Sequence, residues 1–162
     1  MRSKTNMDNS CACRVTRLLP EDVPQLRPLE TAINLSFWGE DNYRRFLEEF
    51  DEYFGCKLSW RLDEDVWDMA GFSLARAICG DLELLKIGVL PQFQHQGLGA
   101  RLLAATFEEG LQRGCDRCFL EVRKSNQSAI HFYGAHDFQI VGARLDYYSN
   151  PAEDAWVMER HL

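Results

Sequence analysis

The chain has 162 residues, 46% of them hydrophobic, enough for one domain with a real core and too few for two comfortable ones. Its formal charge of -7 argues against a phosphate-backbone binder, which draws on a basic face, so no nucleic-acid partner is expected. No segment approaches the ~18 apolar residues of a membrane span, and the opening "MRSKTNMDNSCAC" lacks the apolar core of a signal peptide; a cytoplasmic protein without a membrane partner is expected.

Residues 1–11 are polar and are expected to form a disordered leader, with 12–162 as a single domain. From Cys13, "CRVTRLLP" alternates apolar with polar as a strand does, and Pro20, Glu21 and Asp22 open a helix with acids suited to its positive end. A second helix is predicted from about Glu40 to Phe50, with Tyr43, Phe46, Leu47 and Phe50 on one stripe and Phe54-Gly55 ending it. Strands follow over about Lys57 to Leu62 and Ala70 to Ile78; after the Gly80-Asp81 turn another covers Glu83 to Val89 and stops at Pro91. A helix from Gly97 to about Arg113 places Leu98, Leu102, Phe107 and Leu111 on one side, and Gly114 ends it. Then come the short strand "CFLEV", a helix from about Asn126 to Tyr133, and two last strands near Gln139 to Asp146 and Ala155 to Glu159. This order predicts a mixed α/β (α+β) sandwich whose fourth strand and following helix begin a strand-helix-strand unit.

The six cysteines are scattered through strands and turns, which in a reducing compartment favours free thiols. Cys115 and Cys118 form a CxxC, but without a second such pair or histidines at ligand spacing, two thiols at a turn and strand entry are the better reading. No metal is expected.

Gly97 and Gly99 stand at the mouth of an otherwise sound amphipathic helix, where glycine costs roughly 1 kcal/mol relative to alanine. Strand, loop, glycines and helix N-terminus make an anion site, because the first N–H groups of a helix lack internal partners and its dipole favours negative charge. The loop is neither a Walker P-loop nor a dinucleotide fingerprint: no Gly-Lys-Ser/Thr follows, and the third glycine is replaced by Leu102. Gln94, Gly97 and Gly99 match Gln/Arg-x-x-Gly-x-Gly/Ala. In this the chain resembles the GCN5-related N-acetyltransferase (GNAT) family, which binds the pyrophosphate of acetyl-CoA in this loop.

The resemblance implies the family's fold, a mixed and mostly antiparallel sheet of about seven strands with four helices, splayed at strands four and five. It implies acetyl-CoA as co-substrate, held by the Gln94, His95, Gln96, Gly97, Leu98, Gly99 and Ala100 loop. "LLKIGVLP" resembles the family's fourth strand, in which Ile87, Gly88 and Val89 offer backbone groups to the thioester arm and the Val89 N–H points at the thioester carbonyl.

Glu121 interrupts the apolar run "CFLEV". An ion pair with Arg101 or Arg123, a strand face open to water, and a functional carboxylate all satisfy that position. The segment "LEVRKSNQSAIHFYGAHDF" resembles the LEVRxSNxxAxxxYxxxGF stretch of the RimI-type subgroup of the family, which acetylates the N-terminal alanine of a small-subunit ribosomal protein. Position by position, the resemblance makes Glu121 the general base, Tyr133 the general acid and Asn126 a cofactor contact.

"RLDYYSNPAEDAWVM" resembles the subgroup's RxNYYxxxxEDAxxM ending, with Tyr147 and Tyr148 bordering the peptide groove, and Trp38 in "SFWGED" resembles its Pro-Trp-Ser segment. The implied partner is a peptide or protein N-terminus on a basic ribosomal protein. Two other readings stand beside it: an acetyltransferase of small-molecule amines, and a non-catalytic acyl-CoA-binding module. The chain departs from the subgroup at His95 and Gln96, where basic residues are usual, at Asp137 in place of a glycine, and at Phe37 in place of a proline.

Overall fold

A computed structural model describes residues 12–36 and 38–162; residues 1–11, where the leader is expected, and Phe37 lie outside it. Seven strands form one sheet: β1 (Cys13–Arg17), β2 (Tyr53–Arg61), β3 (Trp67–Ile78), β4 (Asp81–Val89), β5 (Arg117–Arg123), β6 (Gln139–Ser149) and β7 (Ala152–His161), in the order β1-β2-β3-β4-β5-β7-β6. The helices are α1 (Leu26–Ala32), α2 (Glu40–Glu49), α3 (Leu98–Gln112) and α4 (Gln127–Gly134). Neighbouring strands are antiparallel except β4 and β5, which α3 connects as a crossover and which therefore run parallel. These two pair only where Asp81–Glu83 meets Arg117–Phe119, and beyond that they part. The expected architecture, including the split at strands four and five, is the one observed.

Each face of the sheet has its own core. α1 and α2 cover Leu18, Phe72 and Leu74 on one side. On the other, α3 and α4 cover Leu82, Leu84, Leu120 and Val122. Burial of ~1.5–3 kcal/mol per large side chain holds both layers down, so the parting of β4 and β5 is the place where the sheet itself is open.

Several of the expected boundaries and faces shift, and β2 and β3 begin earlier, at Tyr53 and Trp67. Phe54 and Gly55 do not end a helix; they lie inside β2, because α2 already stops at Glu49 and Phe50 is extended. Gly55 is a glycine for packing, since a Cβ there would stand 2.8 Å from Leu18 Cδ2 and from the Ser73 carbonyl oxygen. Leu111 is 52% exposed rather than on the core side. Gly110 takes the sheet-facing place, where a Cβ would meet Leu82 at 2.7 Å, and this turns the next residue outward. Pro20–Gln25 is a 3-10 turn preceding α1, in which Asp22 accepts the Leu19 N–H and pairs with Lys57 at 2.6 Å. The last two strands extend to Ser149 and over Ala152–His161.

A bulge in β4 sets up the site. Leu74 pairs with Lys86 and Ala75 with Leu84, leaving Leu85 as the extra residue. Leu85 and Lys86 consequently both face α1 and α2, whereas Leu84 and Ile87 face α3 and α4. The described cysteines, Cys13, Cys56, Cys79, Cys115 and Cys118, are free thiols, and burial pushes the Cys118 thiol up to about 12. Among the described residues no helix is long and apolar enough to cross a membrane.

Candidate active site

A groove of about 970 Å³ runs from the start of α3, along the end of β4, to α4. At its head Gly97 takes a left-handed backbone (φ +76), which glycine adopts without a steric penalty, and no side chain caps α3. The first N–H groups of this 15-residue helix therefore carry its positive end toward the groove with no partner inside the helix. Gly99 answers to a different need. A Cβ there would sit 3.4 Å from the Phe132 ring, an ordinary contact, so packing does not demand glycine; its bareness keeps the groove wall low.

Along β4 the wall is backbone. A Cβ at Gly88 would lie 2.1 Å from Ile33 Cδ1, so the residue is glycine because the chain after α1 crosses over it. Leu90 N–H donates to the Ala70 carbonyl of β3 at 2.8 Å. The alternation of an extended strand then turns the Val89 N–H and C=O the other way, into the parting. There the Val89 carbonyl accepts the Gln94 side-chain amide at 2.8 Å, which ties the loop to the strand end.

The other expected loop residues divide. His95 (φ 58) and Ala100 line the groove. Gln96 turns its amide back onto the Gln92 carbonyl at 3.1 Å, and Leu98 is buried on the core side. Asn126 lines the groove and also caps α4, its side-chain oxygen accepting the Ala129 N–H at 3.1 Å. Asp137, standing where a glycine is usual, holds a left-handed backbone (φ 65).

Glu121 and Tyr133 flank the parting from opposite sides. β5 alternates strictly: Cys118, Leu120 and Val122 point into the α3/α4 core, so Glu121 points to the α1/α2 face. Its side chain is 13% exposed and forms an ion pair with Arg144 of β6 at 3.0 Å. That partner is neither Arg101, which donates to Cys13 Sγ at 2.6 Å, nor Arg123, which holds Glu153 at 3.1 Å and the Asn150 and Pro151 carbonyls. Burial pushes the Glu121 carboxyl above the ordinary carboxylate range, Arg144 opposes that shift, and nearby Glu83 adds to it.

Tyr133 of α4 lines the groove on the other face, its ring edge-on to Phe138 at 5.5 Å. Burial lifts its hydroxyl well above the usual tyrosine range, so it stays protonated. Tyr147 and Tyr148 share the Glu121 side of the sheet end. A break in the β6–β7 register between Arg144 and Tyr148 brings their rings to 5.0 Å, at right angles, and the Arg123 guanidinium covers Tyr148 at 4.0 Å. Burial and the Glu121 charge raise both hydroxyls.

Trp38 stacks on Tyr43 at 5.9 Å. Beside it lies a cluster the sequence did not reveal. Lys86, only 4% exposed, pairs with Glu30 of α1, donates to the Ser36 carbonyl and stands 4.7 Å over the Trp38 ring. Glu30 also accepts the Tyr43 hydroxyl. A lysine amid apolar residues in a strand reads as an exposed position; only the bulge at Leu85 turns it under α1 and α2.

These residues fit a phosphate-bearing acyl carrier. Uncapped amides face one end of the groove, a bare strand edge follows, the protonated Tyr133 phenol lines the far end, and the Glu121 carboxylate stands on the opposite face of the sheet. Fold and site define the class, an acyltransferase fed by a nucleotide-linked thioester. Residues 23–138 match the acetyltransferase (GNAT) family, and the chain belongs to it; it is an N-acetyltransferase with acetyl-CoA as co-substrate.

Among curated relatives, the [ribosomal protein bS18]-alanine N-acetyltransferase of Salmonella typhimurium is 31% identical over 146 residues, covering 89% of this chain and 94% of its own. The N-alpha-acetyltransferase RimI of Mycobacterium tuberculosis is 39% identical over 92 residues, 56% of each chain. Among solved structures, the ribosomal-protein-S18-alanine N-acetyltransferase of Escherichia coli superposes with a TM-score of 0.77 at 28% identity, covering 92% of this chain and 93% of that one. Arabidopsis thaliana NAA60 in complex with acetyl-CoA shares the fold, with a TM-score of 0.82 at 14% identity, covering 93% and 98%.

Proposed function

We propose that this protein acetylates the α-amino group of a peptide or protein N-terminus beginning with alanine, on a basic ribosomal protein of the kind named for its relatives. The observation that carries the reading is the Glu121 carboxylate, 13% exposed, beside Tyr147 and Tyr148 at the parting of the sheet. An α-amino group titrates near 7.7–8.0 and a lysine near 10.4, so a lysine starts roughly 3 kcal/mol worse off as a neutral nucleophile. A weakly basic carboxylate suits the N-terminus.

Acetyl-CoA, when bound, supplies an activated acetyl group. The amides at the start of α3 hold its diphosphate, with Gly97 and Gly99 leaving room, and the Ile87–Val89 backbone lies along its arm. Val89 N–H donates where negative charge develops. Glu121 takes a proton from the incoming amine, directly or through a water, and Tyr133 gives its phenolic proton to the departing thiolate. Cys115 and Cys118 take no part: both are buried, and burial raises both thiols.

Incubation with acetyl-CoA and a basic peptide beginning with Ala is expected to place one acetyl on its α-amine. No acetylated peptide, with rapid turnover of a polyamine instead, would replace this reading with that of a small-molecule acetyltransferase.

A further inference from the structure

Arg144 reaches Glu121 from two strands away. β7 lies between β5 and β6; it sets Ala155 beside Arg144 and Val157 beside Glu121, so the arginine crosses β7 on the diagonal. The guanidinium Nη2 lies 3.0 Å from Glu121 Oε1, with Arg144 57% exposed and Glu121 13% exposed. The arginine thus lies on the solvent side of the acid, and its guanidinium faces the Tyr147 ring at 5.6 Å.

The other charged and titratable groups around Glu121 are otherwise engaged. Glu83 of β4 is paired with Arg76 of β3, Arg123 of β5 with Glu153, and the Tyr147 and Tyr148 hydroxyls are protonated. Among the described residues Arg144 is the cation in ion-pair contact with Glu121.

We propose that Arg144 is a positioning residue: it holds the Glu121 carboxylate ionised and fixed on the Tyr147 side of the sheet until the substrate amine arrives. The inference rests on Glu121 being the base. Burial and Glu83 both favour the neutral acid, which accepts no proton; the Arg144 guanidinium opposes them most, and Arg76, paired with Glu83, adds a smaller opposing charge. The sign is fixed: loss of the cation raises the Glu121 pKa, so the working anion forms only at higher pH. Because Arg144 is more than half exposed, solvent and salt screen the effect and keep it moderate.

The test is kcat/KM for an Ala-starting peptide at saturating acetyl-CoA from pH 5.5 to 9.5, for wild type, Arg144→Gln and Arg144→Lys, with Glu121→Gln as reference. Each variant is expressed as a ratio to wild type, which cancels titration of the amine itself. Arg144→Gln is expected to lose roughly 10-fold at the acid end and recover to within about twofold at the alkaline end, with Arg144→Lys keeping most of the activity throughout. A loss by one constant factor at every pH, or no loss, overturns the proposal. If Glu121→Gln is inactive while the Arg144→Gln ratio is flat, only this inference falls; if Glu121→Gln is fully active, the base assignment falls with it.

Discussion

Glu121 and Tyr133 sit on opposite faces of one sheet, on either side of the point where β4 and β5 separate. A group threaded through that opening meets a carboxylate on one side and a protonated phenol on the other. In the proposed reaction this would keep proton removal from the attacking amine apart from proton delivery to the leaving thiolate.

Replacing Glu121 by Gln keeps the shape and removes the proposed base. Turnover is expected to fall by roughly 10² or more, with acetyl-CoA affinity changed less than about threefold, because Glu121 is not among the residues that line the groove. Steady-state kinetics and calorimetry read the two effects separately.

Tyr133→Phe removes the phenolic proton without disturbing the ring contact to Phe138. A loss of roughly 10²-fold in kcat is expected. Since burial raises the Tyr133 hydroxyl above the ordinary range, the acid stays protonated as pH rises, and wild-type kcat is expected to hold up to at least about pH 10. A wild-type decline centred near pH 8 that disappears in Tyr133→Phe would contradict the assignment.

The two loop glycines separate stability from binding. Gly97→Ala forces a Cβ into a left-handed backbone and is expected to cost about 1 kcal/mol of stability. Gly99→Ala stands inside α3 at an ordinary distance from Phe132, so stability is expected to hold or rise by up to ~1 kcal/mol while the KM for acetyl-CoA increases. Thermal melts and KM measured on both variants check the pair.

The buried Lys86–Glu30 pair is expected to be costly to break and cheap to replace whole. Glu30→Ala strands a charge among α1, α2 and β4, and a loss of about 3–5 kcal/mol, or roughly 10 °C in Tm, is expected. The double variant Glu30→Leu with Lys86→Met is expected to regain most of it, as calorimetric unfolding would record.

What the sequence made legible was local. The glycine-opened helix after a strand can be read because a left-handed turn and an uncapped terminus need those residue types side by side, and the alternation through Leu120, Glu121 and Val122 is visible in five letters. Features set by register were not. The extra residue at Leu85 decides which way Lys86 points, and nothing in "LLKIG" announces a bulge. The pairing of Glu121 with Arg144 depends on β7 lying between their strands, so nearer arginines looked equally suitable. Leu111 kept the helical period yet faces solvent, because Gly110 lets α3 settle against Leu82.

A crystal structure with a bisubstrate analogue, in which CoA is joined through an acetyl bridge to an Ala-starting peptide, tests the central arrangement most directly. The diphosphate is expected on the amides at the start of α3, the acetyl oxygen on the Val89 N–H, and the alanine nitrogen within one water of Glu121, beside Tyr147 and Tyr148. A peptide lying on the α4 side of the sheet, with its nitrogen remote from Glu121, would contradict the account.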